Sequence, residues 1–141
     1  MNLELSHLSC ERGGRTLFID LSASLRGGEL RACSYSPLTG YFRDGCCATH
    51  GEDGVAHLVC VHVTDEFLEF SVAKGNDLVT PRPDLRFRGL KHNDRWCLHV
   101  LRWVEAWEAG RAPRVVLEAT HEAVLSYVPL SALKRYALDL N

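Results

Sequence analysis

Cysteine is concentrated in one short segment of the chain. Residues 33–60 hold four of the six cysteines and two of the seven histidines. Pro37, Gly40 and Gly45 interrupt this segment and predict turns, because proline fixes its own φ and glycine adopts backbone conformations that other residues avoid. The combination of metal-binding side chains and turns predicts a loop-built site, and we interpret the rest of the chain as its scaffold.

The size and charge of the chain narrow the function classes. A chain of 141 residues with 46% hydrophobic and 24% charged residues is typical of one globular domain. A net charge of -2 and a pI near 6.4 give no electrostatic reason to expect nucleic acid or a membrane surface as a partner. The expected partner is therefore a small ligand or another protein.

The compartment expected from the sequence is the cytoplasm. The first residues lack the charged start and apolar run of a secretory signal. No apolar run approaches the roughly 18 residues needed to span a bilayer. In the cytoplasm the six cysteines are expected to be reduced thiols, metal ligands or redox groups rather than structural disulfides.

The first thirty residues predict a β-hairpin extension, followed by a single domain at 31–141. Apolar residues alternate at 3–8 and 16–25, on either side of Gly13 and Gly14. This opening resembles the first strands of ABC-transporter ATP-binding subunits, most closely those of the haem exporter. The chain nevertheless has no phosphate-binding G-x-x-x-x-G-K-[ST] loop, so a transporter ATPase is rejected and no nucleotide is expected.

The remaining periodicities predict an α+β fold. We expect a two-layer sandwich with a small antiparallel or mixed sheet and helices on one face. The expected elements are a strand at 57–63, a helix at 65–74 capped by Thr64, a long connection at 76–93, a helix at 95–109 capped by Asp94, a strand at 114–119, a short helix from Thr120 to Tyr127 and a last helix at 130–138.

Several linked motifs resemble one bacterial family, catalogued as domain of unknown function 2237. The motifs are C-S-x-x-P-x-T-G-Y-F-R-D-G-C-C at 33–47, TDEFLEF at 64–70, GNDLVTPRP at 75–83, DRWC at 94–97 and VVLEATHE at 115–122. The resemblance covers about residues 28–138 and implies a two-layer α+β fold with no assigned activity. Its pattern C-L-C is replaced here by Cys97-Leu98-His99, which questions any role that requires a second thiol at that point.

Metal binding is the first functional hypothesis. Zinc or copper could be held by Cys46, Cys47, Cys60 and Cys97, with further candidate ligands at Cys33, His57 and His121. No C-x-x-C motif supports this set, and buried cysteines often serve only as small core residues.

Thiol catalysis is the second hypothesis. Cys97, in the first turn of its expected helix, has a setting that lowers a thiol pKa. His121 and Glu122 would then act as the base and its orienting carboxylate. The alternative is that Cys97 is the first core residue of an amphipathic helix.

A polar pocket for a small anion is the third hypothesis. The two turn-rich loops could bring together six side chains: Arg43, Asp44, Asn76, Asp77, Arg82 and Arg95. The alternative for each residue is a structural role, because Asp and Asn before apolar runs cap turns and helices. The preferred interpretation is a ligand- or metal-binding protein with a cysteine-lined site. A thiol-dependent enzyme and a protein-interaction domain with core cysteines are the alternatives.

Overall fold

A small antiparallel sheet forms the centre of the fold. The structure is a computed structural model that describes Cys10 and residues 30–47 and 57–139. Strands β1 (Val59–His62), β2 (Arg95–Leu98) and β3 (Arg114–Val115) are arranged in the order β2-β1-β3. Both pairings are antiparallel, and Cys60 lies opposite Cys97 in the register. The predicted hairpin at 1–30 lies outside the described residues, apart from Cys10 and Leu30.

Three α-helices accompany the sheet in the described part of the chain, which confirms the α+β class. They are α1 (Asp65–Ala73), α2 (Val100–Glu108) and α3 (Leu130–Arg135). Short 3-10 helices lie between them at Pro83–Leu85, Leu117–Ala119 and Glu122–Ser126. Within the same residues, no helix has the length and apolar character needed to cross a membrane.

The two faces of β1 belong to different clusters. Val59 and Val61 join the main core, together with Phe67 of α1 and Trp103 of α2. Cys60, one residue out of phase with the valines, joins a second cluster with Cys33, Cys47 and Cys97. Because side chains alternate across a strand, helices cover one face of the sheet and segment 30–47 covers the other.

Local capping signals were predicted correctly at α1. The Thr64 side chain accepts a hydrogen bond from Phe67 N, and Gly75 follows the helix with φ +93°. The connection at 76–93 folds back on itself, with Leu78 and Leu90 buried and joined by a backbone hydrogen bond. A connection this long is uncommon unless it has a function or packs as its own unit.

The predicted helix 95–109 is wrong in its first turn. Residues 95–98 form β2 instead, because they pair with β1 and the buried Cys97 N donates to Thr39 Oγ1. The helix begins only at Val100, and His99 replaces Asp94 as its cap by accepting from Leu101 N through Nδ1. Cys97 therefore does not lie at a helix N-terminus.

The predicted strand 114–119 is also too long. After Val115 the chain bends into a 3-10 helix, and the Asp139 carboxylate accepts hydrogen bonds from Leu117 N and Glu118 N. The next short helix is capped by His121 rather than Thr120. The Thr120 hydroxyl is used elsewhere, since it accepts from Cys60 N and donates to the Val116 carbonyl.

Candidate functional site

All six cysteines form disulfides, so the prediction of reduced thiols is wrong. The pairs are Cys10–Cys46, Cys33–Cys60 and Cys47–Cys97. The last two join segment 30–47 to strands β1 and β2. In this state no sulfur is a thiolate, and the metal set predicted at Cys46, Cys47, Cys60 and Cys97 has no ligand to offer.

The two sheet-bound disulfides are packed together. The Sγ atoms of Cys33, Cys47 and Cys97 all lie within 4.8 Å of one another, and the three side chains are buried. Cys46 is absent from this group because it is bonded to Cys10. The predicted metal set thus contained Cys46, which lies outside this group, and gave Cys33 only as a further candidate ligand.

The predicted catalytic residues Cys97 and His121 lie on opposite sides of β1. Cys97 is in β2, whereas the backbone of His121 bonds to Leu58 O beside β1. β1 thus separates Cys97 from His121. The His121 Nδ1 accepts from Ala123 N, and burial lowers the pKa of His121 against an opposing effect of Glu122. His121 serves as a helix cap here, and Glu122 is the first residue of that helix.

A cavity of about 410 Å³ opens beside Cys97. Its apolar lining includes Leu78, Trp96 and Leu98, and Gly40 contributes backbone. The polar lining consists of Tyr41, Arg43, His57, Asn76, His99 and Arg102. We call this space the arginine cavity. Among the described residues that line it, none is acidic.

Both arginines are fixed by hydrogen bonds. Arg43 donates to the carbonyls of Leu38 and Leu85, at 2.8 and 3.3 Å, and its guanidinium lies 5.6 Å from the centre of the Trp96 ring. Arg102 donates to the Lys74 carbonyl at 3.4 Å and pairs with Glu105 at 3.3 Å. These contacts hold two positive charges at the cavity wall without bringing a carboxylate into its lining.

Two histidines in the lining face each other. Their ring centres are 5.3 Å apart, with the planes nearly perpendicular. Burial lowers the pKa of His57, and the neighbouring His99 and Arg43 lower it further. Burial and then Arg102 lower the pKa of His99. Both imidazoles are consequently neutral near pH 7.

His57 Nδ1 is a buried polar atom without a hydrogen-bond partner among the described residues. A buried polar nitrogen in that state costs about 1–3 kcal/mol. Such exceptions are uncommon in native structures and call for an explanation.

The structure brings together only two of the six residues predicted to form an anion pocket. Arg43 and Asn76 line the arginine cavity. Asp44 accepts from Cys46 N, and Asp77 accepts from Val79 N and Thr80 N, which are the structural roles weighed as alternatives.

The other two predicted residues lie elsewhere on the surface. Arg82 is exposed and pairs with Asp84. Arg95 is exposed on β2 opposite His62. Burial and then the Arg95 charge lower the pKa of His62.

Sequence reasoning missed most of the cavity. His99, Arg102 and Trp96 were not among the predicted site residues, and His57 was considered only as a metal ligand. The missing information is the pairing of β2 with β1, which turns Trp96, Leu98 and His57 toward one region. The replacement of a family cysteine by His99 was the available signal.

Comparison with known proteins identifies the family. A family model described as "Uncharacterized protein conserved in bacteria (DUF2237)" matches residues 23–137. No curated protein matches the sequence, and the resemblance of residues 1–30 to ABC ATP-binding subunits finds no support. Since the match covers most of the sequence, the chain belongs to the DUF2237 family.

Proposed function

We propose that the protein binds a small anion in the arginine cavity. The observation that carries the proposal is the composition of the lining, in which Arg43 and Arg102 are joined by two imidazoles and no described carboxylate. A concave site with a few convergent polar groups is the usual form of a small-molecule site. A volume of about 410 Å³ suits a ligand of modest size.

The aromatic and apolar part of the lining supports an organic anion. Trp96, Leu78 and Leu98 offer apolar surface next to the charges, and Tyr41 stacks on His57 with ring centres 6.4 Å apart. Arginine binds carboxylate and phosphate oxygens in a planar, two-point geometry. We therefore infer that the ligand carries a carboxylate or phosphate on a small organic body.

Sulfate titration tests the anion site. Binding to the disulfide-intact protein, followed by calorimetry and by amide NMR shifts, is expected to perturb residues around Arg102. Arg102→Gln should weaken sulfate at least about fivefold, because a charge about 4 Å away contributes about 1 kcal/mol even in water.

Arg111→Gln is the matched control for this titration. Arg111 also pairs with an acid, Glu66, but does not line the cavity. Equal affinities of the two variants for sulfate, or shifts confined to residues outside the cavity, would reject the anion site.

A second candidate function concerns the reduced protein. The close approach of the Cys33, Cys47 and Cys97 sulfurs supports zinc or copper(I) binding once the disulfides are opened, with Cys60 as a fourth thiolate. Reduced protein should then retain about one zinc per chain, measured by elemental mass spectrometry. Cys47→Ser/Cys97→Ser should lose the metal, while Cys10→Ser/Cys46→Ser should keep it, and equal retention in both would contradict the site.

The other functional alternatives stay predictions. A thiol enzyme based on Cys97, His121 and Glu122 has no free nucleophile in the disulfide form. A protein-interaction role is likewise untested. The disulfides favour an oxidising compartment over the predicted cytoplasm, because cytoplasmic thiols are kept reduced.

A further inference from the structure

A disulfide-bonded cysteine is part of the lining of the arginine cavity. Cys97 lines the cavity, although only 1% of the residue is exposed, and it is bonded to the fully buried Cys47. Anion-binding groups and a disulfide-bonded cysteine thus line one cavity. A ligand that used both would carry a negative charge and a thiol.

We propose that the cavity binds small anionic thiols and that the Cys47–Cys97 disulfide exchanges with them at Cys97. This inference rests on the proposed anion site and specifies its substrate class. Arg43 and Arg102 attract the carboxylate of the thiol, which raises its concentration next to Cys97.

The exchange follows ordinary thiol–disulfide chemistry. The incoming thiol gives its proton to water, and its sulfur attacks Cys97 Sγ. A bond forms between the ligand sulfur and Cys97 while the Cys47–Cys97 bond breaks, and Cys47 leaves as a thiolate that takes a proton from water. A second thiol molecule then loses its proton to water and attacks the ligand sulfur, which breaks the bond to Cys97 and releases Cys97 as a thiolate that takes up a proton. Two thiols are thus oxidised to one small disulfide, and the protein disulfide is reduced.

The close packing of the sulfurs allows the exchange to continue to the second buried disulfide. Cys47 Sγ lies within 4.8 Å of Cys33 Sγ, which is bonded to Cys60. Before it takes up a proton, the released Cys47 thiolate is therefore positioned to attack Cys33, which forms a Cys47–Cys33 bond and frees Cys60. Reduction that begins at the cavity reaches the second buried disulfide without exposing it to solvent.

Because the disulfide is buried, thiols that bind in the cavity and thiols that do not should differ in how their reaction rates depend on concentration. A thiol without affinity for the cavity meets Cys97 only when the structure opens, so its rate should rise linearly with concentration. A bound thiol reacts from within the complex, where proximity raises the effective concentration. Its rate should therefore saturate.

The experiment compares three thiols of similar size on the disulfide-intact protein. They are mercaptoacetate, mercaptoethanol and cysteamine, which are anionic, neutral and cationic. Each rate is divided by the rate of the same thiol with hydroxyethyl disulfide to remove intrinsic reactivity, and peptide mass spectrometry follows the mixed disulfide at Cys97. We expect mercaptoacetate to be favoured about tenfold over mercaptoethanol, with cysteamine slowest, and its rate to saturate and to be inhibited by sulfate.

Variants assign the selectivity to the cavity. Arg102→Gln should reduce the normalised preference for mercaptoacetate at least about fivefold, whereas Arg111→Gln should leave it unchanged. Linear kinetics with all three thiols, a mixed disulfide on Cys47 instead of Cys97, or a preference that Arg102→Gln does not alter would overturn the proposal.

Sulfate binding distinguishes a failure of the thiol exchange from a failure of the anion site. If sulfate binds through Arg102 but Cys97 does not react selectively, the exchange is wrong and the anion site stands. If sulfate does not bind and the thiols react without regard to charge, both proposals are wrong.

Discussion

His57 is surrounded by groups that oppose its protonation. Burial comes first, and the charges of His99 and Arg43 add to it, so its pKa lies below the ordinary value of 6.5. The unfolded chain therefore binds a proton at a higher pH than the folded protein. The contribution of the neutral His57 imidazole to the free energy of unfolding is therefore fully present above pH 6.5. It is lost as the pH falls toward the lowered pKa.

Sulfate binding should have the opposite dependence on pH. Protonated His57 adds a positive charge to the cavity, and bound sulfate in turn favours the protonated form. Affinity for sulfate is expected to rise by up to about fivefold as the pH falls and His57 takes up a proton, the effect of about 1 kcal/mol from one added charge. Calorimetry at a series of pH values provides the measurement.

Substitution assigns this rise to His57. His57→Gln should remove much of the increase, whereas His121→Asn should retain it, because His121 also has a lowered pKa but does not line the cavity. Asparagine is also a good helix cap, so it keeps the local role of His121. A rise of equal size in His57→Gln would show that His57 does not contact the ligand.

The turn at Gly40 positions an element of the cavity. Gly40 has φ +102°, and a Cβ there would overlap the Cys46 carbonyl oxygen. Gly110 also has positive φ, at +76°, but a Cβ would meet nothing within 4 Å. The two glycines share a backbone conformation and differ in the space around them.

Alanine substitution should separate backbone strain from steric overlap. Gly110→Ala is expected to lower the free energy of unfolding by about 1 kcal/mol, the usual cost of the left-handed conformation. Gly40→Ala adds a displaced backbone and should cost about 3 kcal/mol or more, with weaker sulfate binding as well. Urea denaturation of both variants checks this, and equal costs would contradict the crowding at Gly40.

Helices and strands could be predicted from the sequence where the residues that define them contact one another locally. Thr64 and Gly75 delimit α1 through contacts within the helix itself, and the cap at Thr64 was predicted. β2 was mistaken for helix because Cys97, Val100 and Trp107 fit helical spacing. Only the long-range pairing of β2 with β1 shows that Cys97 belongs to a strand.

The arrangement of the whole molecule depends on contacts that the sequence does not display. Six cysteines allow fifteen pairings, and a cytoplasmic interpretation of the chain assigned disulfides to none of them. Arg43 and Asn76 were found from loop composition, but Arg102 came into the cavity only because α2 begins after β2. Two of the polar residues in the cavity lining were thus predicted from the sequence, whereas Arg102 was not.

Removing one disulfide at a time should show whether sulfate binding depends on global stability or on the disulfide that holds the cavity wall. Cys10–Cys46 and Cys47–Cys97 span 36 and 50 residues, so each is expected to contribute about 4 kcal/mol by restricting the unfolded chain. Only the second ties segment 30–47 to β2, and this segment carries Gly40, Tyr41 and Arg43 of the cavity wall. Cys47→Ala/Cys97→Ala should therefore lose sulfate binding at pH 7.

Cys10→Ala/Cys46→Ala is the control for that loss. It should be destabilised by a similar amount, measured by urea denaturation, and yet bind sulfate with nearly unchanged affinity. No cysteine belongs to the main core, in which Val59 and Val61 of β1 pack with residues of α1 and α2. Both variants should therefore keep their helical circular dichroism. If neither variant loses sulfate binding, segment 30–47 must be held in place by the remaining Cys33–Cys60 disulfide and by noncovalent contacts, such as the hydrogen bond from Cys97 N to Thr39.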